Sequence, residues 1–168
     1  MTKRFVLMRH AKSSWDDPLL EDRDRPLNPR GRKAAKALGK WLRSQDILPD
    51  LALVSDARRT QTTFKRLKLD CDMRIDPRLY LSGPEAMLET LQSGEGDTIL
   101  MIGHNDGIAA FAGRLVSAPP PHGRFADFPT GATLVLDLPI EDWHAAHFGT
   151  GRVVNFITPR ELTGDKQD

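Results

Sequence analysis

Five short apolar runs punctuate the chain: RFVLM (4–8), LALV (51–54), TILMIG (98–103), ATLVLDL (132–138) and RVVNFIT (152–158). The first three are almost continuously apolar, which predicts central strands of a parallel sheet covered on both faces. The last two alternate more and are expected nearer an edge. Between the runs the period becomes helical. Residues 29–44 open with Asn28 as N-cap and Pro29 at the first helical position, and Ala34, Ala37, Leu38, Trp41 and Leu42 recur on one face. Further helices are expected over 57–67 (capped by Ser55 or Asp56), over 84–92 (started by Pro84) and over 106–117 after Asn105. In the last of these Ile108, Phe111, Ala112, Leu115 and Val116 form one stripe, and the prolines of APPPHG (118–123) must end it. Strands alternating with helices predict an α/β domain: a three-layer sandwich whose mostly parallel central sheet is flanked by helices. No repeat or linker interrupts it, so one domain is expected over 1–162, with TGDKQD (163–168) as a frayed tail.

Charge changes this picture little. Lys and Arg number 24 against 23 Asp and Glu, so no net field favours nucleic acid or an anionic membrane, and neither is expected as a partner. The apolar run behind Lys3 and Arg4 is too short for a signal peptide, and no other stretch reaches membrane-spanning length; a cytoplasmic protein is expected. The single cysteine, Cys71, forms no internal disulfide, and Asp70 and Asp72 disfavour its thiolate.

The chemistry lies just beyond the three most apolar runs. The first ends in Arg9-His10, the second runs into SDARRT, and the third ends in Gly103-His104-Asn105. Ligands of open parallel sheets sit beyond the carboxyl ends of the strands, where helix N-termini also point. If the three strands are neighbours, Arg9, His10, one of Arg58 and Arg59, and His104 share a pocket. Such a pocket suits a phosphoryl dianion. Arginine offers a planar fork of donors, and phosphoryl transfer needs positioning and charge stabilisation above all. Two arginines and a protonated histidine could supply that charge without a metal, and a second, neutral histidine could attack phosphorus. A zinc site would need a third ligand that is not evident and would face opposing arginines, so no metal or other cofactor is expected.

These residues carry a resemblance. LMRHAKSSW (7–15) resembles the Arg-His signature of the histidine phosphatase superfamily, which has the phosphoglycerate mutase-like fold, and the likeness is greater to its small SixA-type phosphohistidine phosphatase branch. DRPLNPRG (24–31), VSDARRTQTT (54–63), MIGHNDGI (101–108), FPTGATLVLDL (128–138) and FITPREL (156–162) are similar to segments of that branch in the same order. The resemblance implies that His10 is the phosphorylated nucleophile, that Arg9 and Arg59 bind phosphoryl oxygens, and that His104 stabilises the transition state. Ser13, Ser14, Arg58, Asn105 and Thr130 are further candidates for contact with phosphate or substrate.

Two positions depart from the superfamily pattern. Ala11 and Asp16 stand where many members have Gly and Asn, and Asp16 is expected to point away or to pair with a base. The proton donor of the superfamily's phosphomonoesterases also has no clear counterpart; Glu85 is the candidate, on a helix that could simply expose it. A general acid is typically worth about 10²–10⁴-fold for an alkoxide leaving group, whereas an imidazole leaving group needs less help. The expected function is therefore a metal-independent phosphatase with a phosphohistidine intermediate, acting in signal transduction on a phosphorylated partner protein such as a histidine phosphotransfer domain. The short stretch between Thr63 and Ile99 leaves no room for a lid domain, and Lys12, Trp15 and the loop DDPLLEDRDR (16–25) would form a docking rim. The alternatives are a phosphomonoesterase or mutase for small phosphate esters, with Glu85 as acid, and a non-catalytic phosphate-binding module.

Overall fold

A computed structural model describes residues 1–165. Six strands form one sheet in the order β3-β2-β4-β1-β5-β6: β1 Lys3–Arg9, β2 Leu51–Val54, β3 Asp72–Ile75, β4 Thr98–Gly103, β5 Thr133–Leu138 and β6 Arg152–Ile157. β3, β2, β4 and β1 run parallel; β5 and β6 are antiparallel. Five helices cover the sheet: α1 Pro29–Ser44, α2 Arg58–Leu67, α3 Pro84–Gln92, α4 Gly107–Leu115 and α5 Pro159–Thr163. The architecture is the expected three-layer sandwich around a mostly parallel sheet.

The continuous hydrophobicity of the central runs reflects two covers. Phe5, Leu7, Leu53, Ile99 and Met101 share one core with Met87 and Leu91 of α3 and with Ile108, Phe111 and Leu115 of α4. Val6, Met8, Ala52, Val54, Leu100 and Ile102 point the other way, onto Leu38 and Leu42 of α1 and Leu67 of α2. Burying each such side chain contributes roughly 1.5–3 kcal/mol, and both faces of a strand can contribute only if no position on it is polar.

Several boundaries differ from the sequence pattern. β3, DMRI, has no apolar run to announce it; as an edge strand paired only with β2 it buries little. β5 and β6 do lie toward an edge as expected, β6 forming it and β5 between β6 and β1, while β3 forms the opposite edge. α1 buries Gly31, Ala35 and Gly39 beside Ala34, Leu38 and Leu42, leaving Ala37 and Trp41 partly exposed. The stripe is rotated because backbone packs against it. A Cβ on Gly31 would stand 2.0 Å from the Lys12 carbonyl oxygen, and one on Gly39 2.0 Å from that of Leu67. α2 is capped by Ala57, and α4 starts at Gly107 and stops at Leu115. In the expected tail, Thr163 closes α5, Gly164 caps it and Asp165 pairs with Lys33 at 2.8 Å; 166–168 lie outside the described residues. Among the described residues no helix is long and apolar enough to cross a membrane. Cys71 is half-buried, its pKa pushed up to about 11 by burial and by Asp72, Asp50 and Asp70.

Candidate active site

Strand register assembles the site. Arg9 of β1 pairs with Gly103 of β4, and Val54 of β2 with Ile102, so the three strands end level and side by side. The amide of His10 donates to Gly103 O (3.1 Å) and that of Ser55 to Ile102 O (3.2 Å). His10, Ser55 and His104 thus leave the sheet as neighbours, and the two imidazole centroids lie 5.3 Å apart. Arg59, in the first turn of α2, is only 2% exposed and reaches the same point. A cleft of about 850 Å³ opens there, lined by Arg9, His10, Arg59 and His104 with Ser13, Ser14, Asn105 and Thr130. Arg58, the neighbour of Arg59, is exposed and stands outside this lining.

The tautomers are set by the partners. His10 Nδ1 lies 2.7 Å from Ala11 O, and a carbonyl only accepts, so Nδ1 carries the proton and Nε2 the lone pair. Burial pulls the His10 pKa well below the ordinary histidine range; the Ala11 carbonyl opposes this, and His104, Arg59 and Arg9 reinforce it. His104 is oriented the other way. Its Nδ1 accepts from Arg59 Nη2 (3.3 Å), because a guanidinium only donates, and its Nε2–H donates to Ser55 Oγ (2.8 Å). Burial and the Arg59 charge bring the His104 pKa down to about 3. His104 is therefore held neutral, because an arginine hydrogen bonds its free nitrogen in a buried place.

Around the histidines lies a set of donors. Arg9 Nη1 donates to Phe128 O (3.2 Å), while burial and Arg59 lower its pKa against the pull of Asp106. Arg9 Nε, Arg59 Nε and Thr130 Oγ1 are buried with no hydrogen-bond partner. Unpartnered buried donors are costly, and all three belong to residues that line the cleft. Ser13 Oγ accepts from Arg25 Nη1 (2.8 Å), and Ser14 Oγ accepts from the Asp16 amide (3.1 Å). Asn105 holds the wall together: its Nδ2 donates to Asp127 O (2.8 Å) and its Oδ1 accepts from the Ala109 amide (3.1 Å).

The two carboxylates singled out in the sequence, Glu85 and Asp16, are both exposed. Glu85 lies outside the cleft, exposed and bonded to Arg114 Nη1 at 2.6 Å, which lowers its pKa, so it is not placed to protonate a leaving group. Asp16 is exposed and is among the residues that line the cleft. The pattern also passes over Asp22, Arg25 and Tyr80. Asp22 sits in a 3-10 turn, Asp22–Asp24, inside a loop that reads as plain charged surface. Arg25 is buried, stacked 3.5 Å over the Trp15 ring, and the only advance sign of it is its place in DRPLNPRG. Tyr80 packs edge-on to His104 at 5.3 Å. Among the described residues no three His, Cys, Asp or Glu side chains are grouped to hold a metal ion.

Comparison with known proteins agrees with this architecture. Residues 5–80 match the model of the histidine phosphatase superfamily (branch 1). An uncharacterised protein of Mycobacterium tuberculosis is 34% identical over 91% of this chain and 100% of its own. The SixA protein of Nakamurella multipartitia superposes with a TM-score of 0.85 at 28% identity, covering 95% of this chain and 97% of that one. A protein histidine phosphatase SixA complexed with tungstate superposes with a TM-score of 0.77 at 22% identity, over 95% and 99% of the two chains. Sequence, fold and the level ends of β1, β2 and β4 converge on one conclusion: the chain belongs to the histidine phosphatase superfamily and is of the SixA type.

Proposed function

We propose that this protein is a phosphatase that passes the phosphoryl group through His10, and that its substrate is a phosphohistidine on a partner protein, for which a histidine phosphotransfer domain is the natural form. The observation that carries the reading is the lone pair of His10 Nε2, fixed by the Nδ1–H bond to Ala11 O, in a cleft where arginines and unpartnered donors surround it. Nε2 attacks phosphorus and the bond to the leaving group breaks. Water then attacks phosphorus, the Nε2–P bond breaks, and inorganic phosphate leaves with His10 restored. Arg9 and Arg59 hold the equatorial oxygens, and the buried donors of Thr130 and of the two arginine Nε atoms add fixed dipoles. When a dianion draws Arg59 Nη2 away from His104 Nδ1, that nitrogen is freed to take a proton from solvent, and its N–H then donates to a phosphoryl oxygen while Nε2–H stays on Ser55.

The leaving group selects the substrate class. Glu85 is bound to Arg114, and Asp22 is held ionised by its partners, so neither carboxyl stands ready to protonate an alkoxide. A phosphorylated imidazole protonated on its far nitrogen leaves as a neutral ring and needs no such acid. The mouth fits a macromolecule: Trp15 is 74% exposed, Leu19 92% and Leu81 57%, and Trp15 and Leu81 line the cleft itself. Solvated apolar side chains around a charged cleft suit contact with another protein surface.

The test offers the enzyme a histidine-phosphorylated phosphotransfer domain, a phosphoserine peptide and p-nitrophenyl phosphate. The expected result is rapid loss of the histidine phosphate and a transient acid-labile label on His10. Faster turnover of the phosphoserine peptide, or turnover with no label on His10, overturns the reading.

A further inference from the structure

The carboxylate of Asp22 is placed where a second anion would compete for the site's cations. Its Oδ2 accepts from Arg59 Nη2 (2.8 Å) and from the Tyr80 hydroxyl, and its Oδ1 accepts from Arg25 Nε (3.1 Å). The Asp22 carbonyl oxygen takes Arg59 Nη1 at 2.6 Å. One residue therefore occupies both terminal nitrogens of Arg59 and bridges it to Arg25, two arginines that are themselves buried. The carboxylate side chain remains 40% exposed and lines the cleft. It belongs to a short 3-10 turn in the loop between β1 and α1, so it can shift without disturbing the sheet.

We infer that Asp22 is a positioning residue, a tethered anion that aims Arg59 at His104 and that phosphoryl oxygens must partly displace, so that it sets how tightly the site retains phosphate. The inference rests on the anion site proposed above. The physical reason is charge. A cleft with Arg9, Arg25 and Arg59 around one dianion would bind inorganic phosphate, the product, strongly. A fixed negative charge on the same guanidinium forks weakens that hold, because like charges a few ångströms apart repel and because phosphate gains no fork without the carboxylate losing it. The other groups facing Asp22 keep it in place. Arg23 lies 4.0 Å over the Tyr80 ring and 3.4 Å from Asp56, so the tyrosine that bonds Asp22 is itself pinned. Hydrogen bonds from Tyr80, Arg59 and Arg25 outweigh burial and hold the carboxyl well below its usual range, which suits a permanent charge and not a proton donor.

The experiment is calorimetric titration of the full chain with inorganic phosphate, on the wild type, Asp22→Asn and Tyr80→Phe, each checked for native circular dichroism. Asp22→Asn keeps the shape and removes the charge; its phosphate affinity is expected to rise about tenfold, with turnover becoming correspondingly more sensitive to added phosphate. Tyr80→Phe loosens the carboxylate and is expected to raise the affinity about two- to threefold; it carries the test if Asp22→Asn does not fold. A residue that merely braced the loop would give the opposite sign, since a loosened site binds phosphate less well. Folded variants with unchanged or weaker phosphate binding overturn this inference alone. So does a loss of Asp22→Asn turnover confined to esters with poor leaving groups, which would make Asp22 an acid. A wild type that binds no phosphate overturns the anion site and this inference together.

Discussion

The two ends of the sheet spend the same kinds of side chain differently. At the end where β1 and β4 begin, Lys3 meets Asp97 at 3.2 Å, Arg4 meets Asp137 at 3.0 Å, and Arg152 meets Asp137 at 2.9 Å. Each cation there has a carboxylate partner and at least one member of each pair is solvated, an arrangement worth about 0–1 kcal/mol. At the other end Arg9, Arg59, His10 and His104 are wholly or largely buried, and two guanidinium Nε atoms have no protein acceptor. Burying charge and leaving donors unpaired costs stability. The contrast supports the proposed site: among the described residues the unpaired guanidinium Nε atoms gather at this rim, where a dianion would relieve them.

The sharpest break comes at His10. His10→Ala removes the group that accepts phosphorus and leaves the arginines in place, so turnover should fall by at least about 10³-fold while inorganic phosphate still binds. Steady-state kinetics beside calorimetry check this. Turnover that survives would end the covalent route. If the wild type also binds phosphate without turning it over, the non-catalytic module is the better description.

A smaller break is Arg59→Lys, which keeps the charge but not the fork. Lysine cannot serve Asp22 with two nitrogens and His104 with one, as Arg59 does at 2.6, 2.8 and 3.3 Å. Losing one preorganised donor to a developing charge is worth about 10²–10³-fold in turnover, and roughly 10²-fold is expected here. Arg58→Lys, outside the cleft, is the control and should leave kcat alone.

Much of this rim was legible in the sequence because of strand chemistry. Three near-continuous apolar runs had to be central and parallel, and the residues directly after them had to meet at one edge, which brings Arg9, His10 and His104 together. The choice of Arg59 over Arg58 came from resemblance, and its physical basis is helix phase: adjacent residues on a helix do not share a face. What stayed hidden depends on contacts between distant loops. Asp22, Arg25 and Tyr80 meet over 58 residues of sequence, and no local pattern separates a charged loop that folds onto a site from one that stays in water. β3 was hidden for the opposite reason, since an edge strand needs so little burial that polar residues suffice. Thr130 and the buried Nε atoms show their lack of partners only once packing is known.

The same contrast predicts how the fold responds to acid. The His104 pKa, near 3 when folded, is ordinarily about 6.5, and that of His10 is also depressed. Below pH 6.5 the unfolded chain takes up protons that these buried rings refuse, so stability falls as pH falls, with a slope approaching about 1.4 kcal/mol per pH unit for each ring. For His104 the loss continues until the folded ring protonates near pH 3. Asp22 adds its own loss from about pH 4 downward, once carboxylates of the unfolded chain begin to protonate while its folded carboxyl stays ionised. Urea midpoints between pH 6.5 and 5 isolate the histidines, and His104→Gln should remove about half of the slope. A flat profile over that range would mean that the rings are hydrated and ionisable, and that the rim is not the strained end.

The weakest effect belongs to the paired end, and its weakness is the point. Arg4→Met removes the hydrogen bonds that Arg4 Nε and Nη2 make to Asp137, at 3.0 and 3.2 Å. Arg152 Nη2 still reaches Asp137 Oδ2 at 2.9 Å, so the carboxylate keeps a partner, and the methionine stem replaces the apolar part of the arginine. The expected loss is under about 1 kcal/mol by urea denaturation, shrinking further in salt, with kcat unchanged. A loss of several kcal/mol, or a change in turnover, would mean that the two ends are coupled through β1, and that the strain at the site is held in place by pairs at the far end of the same strand.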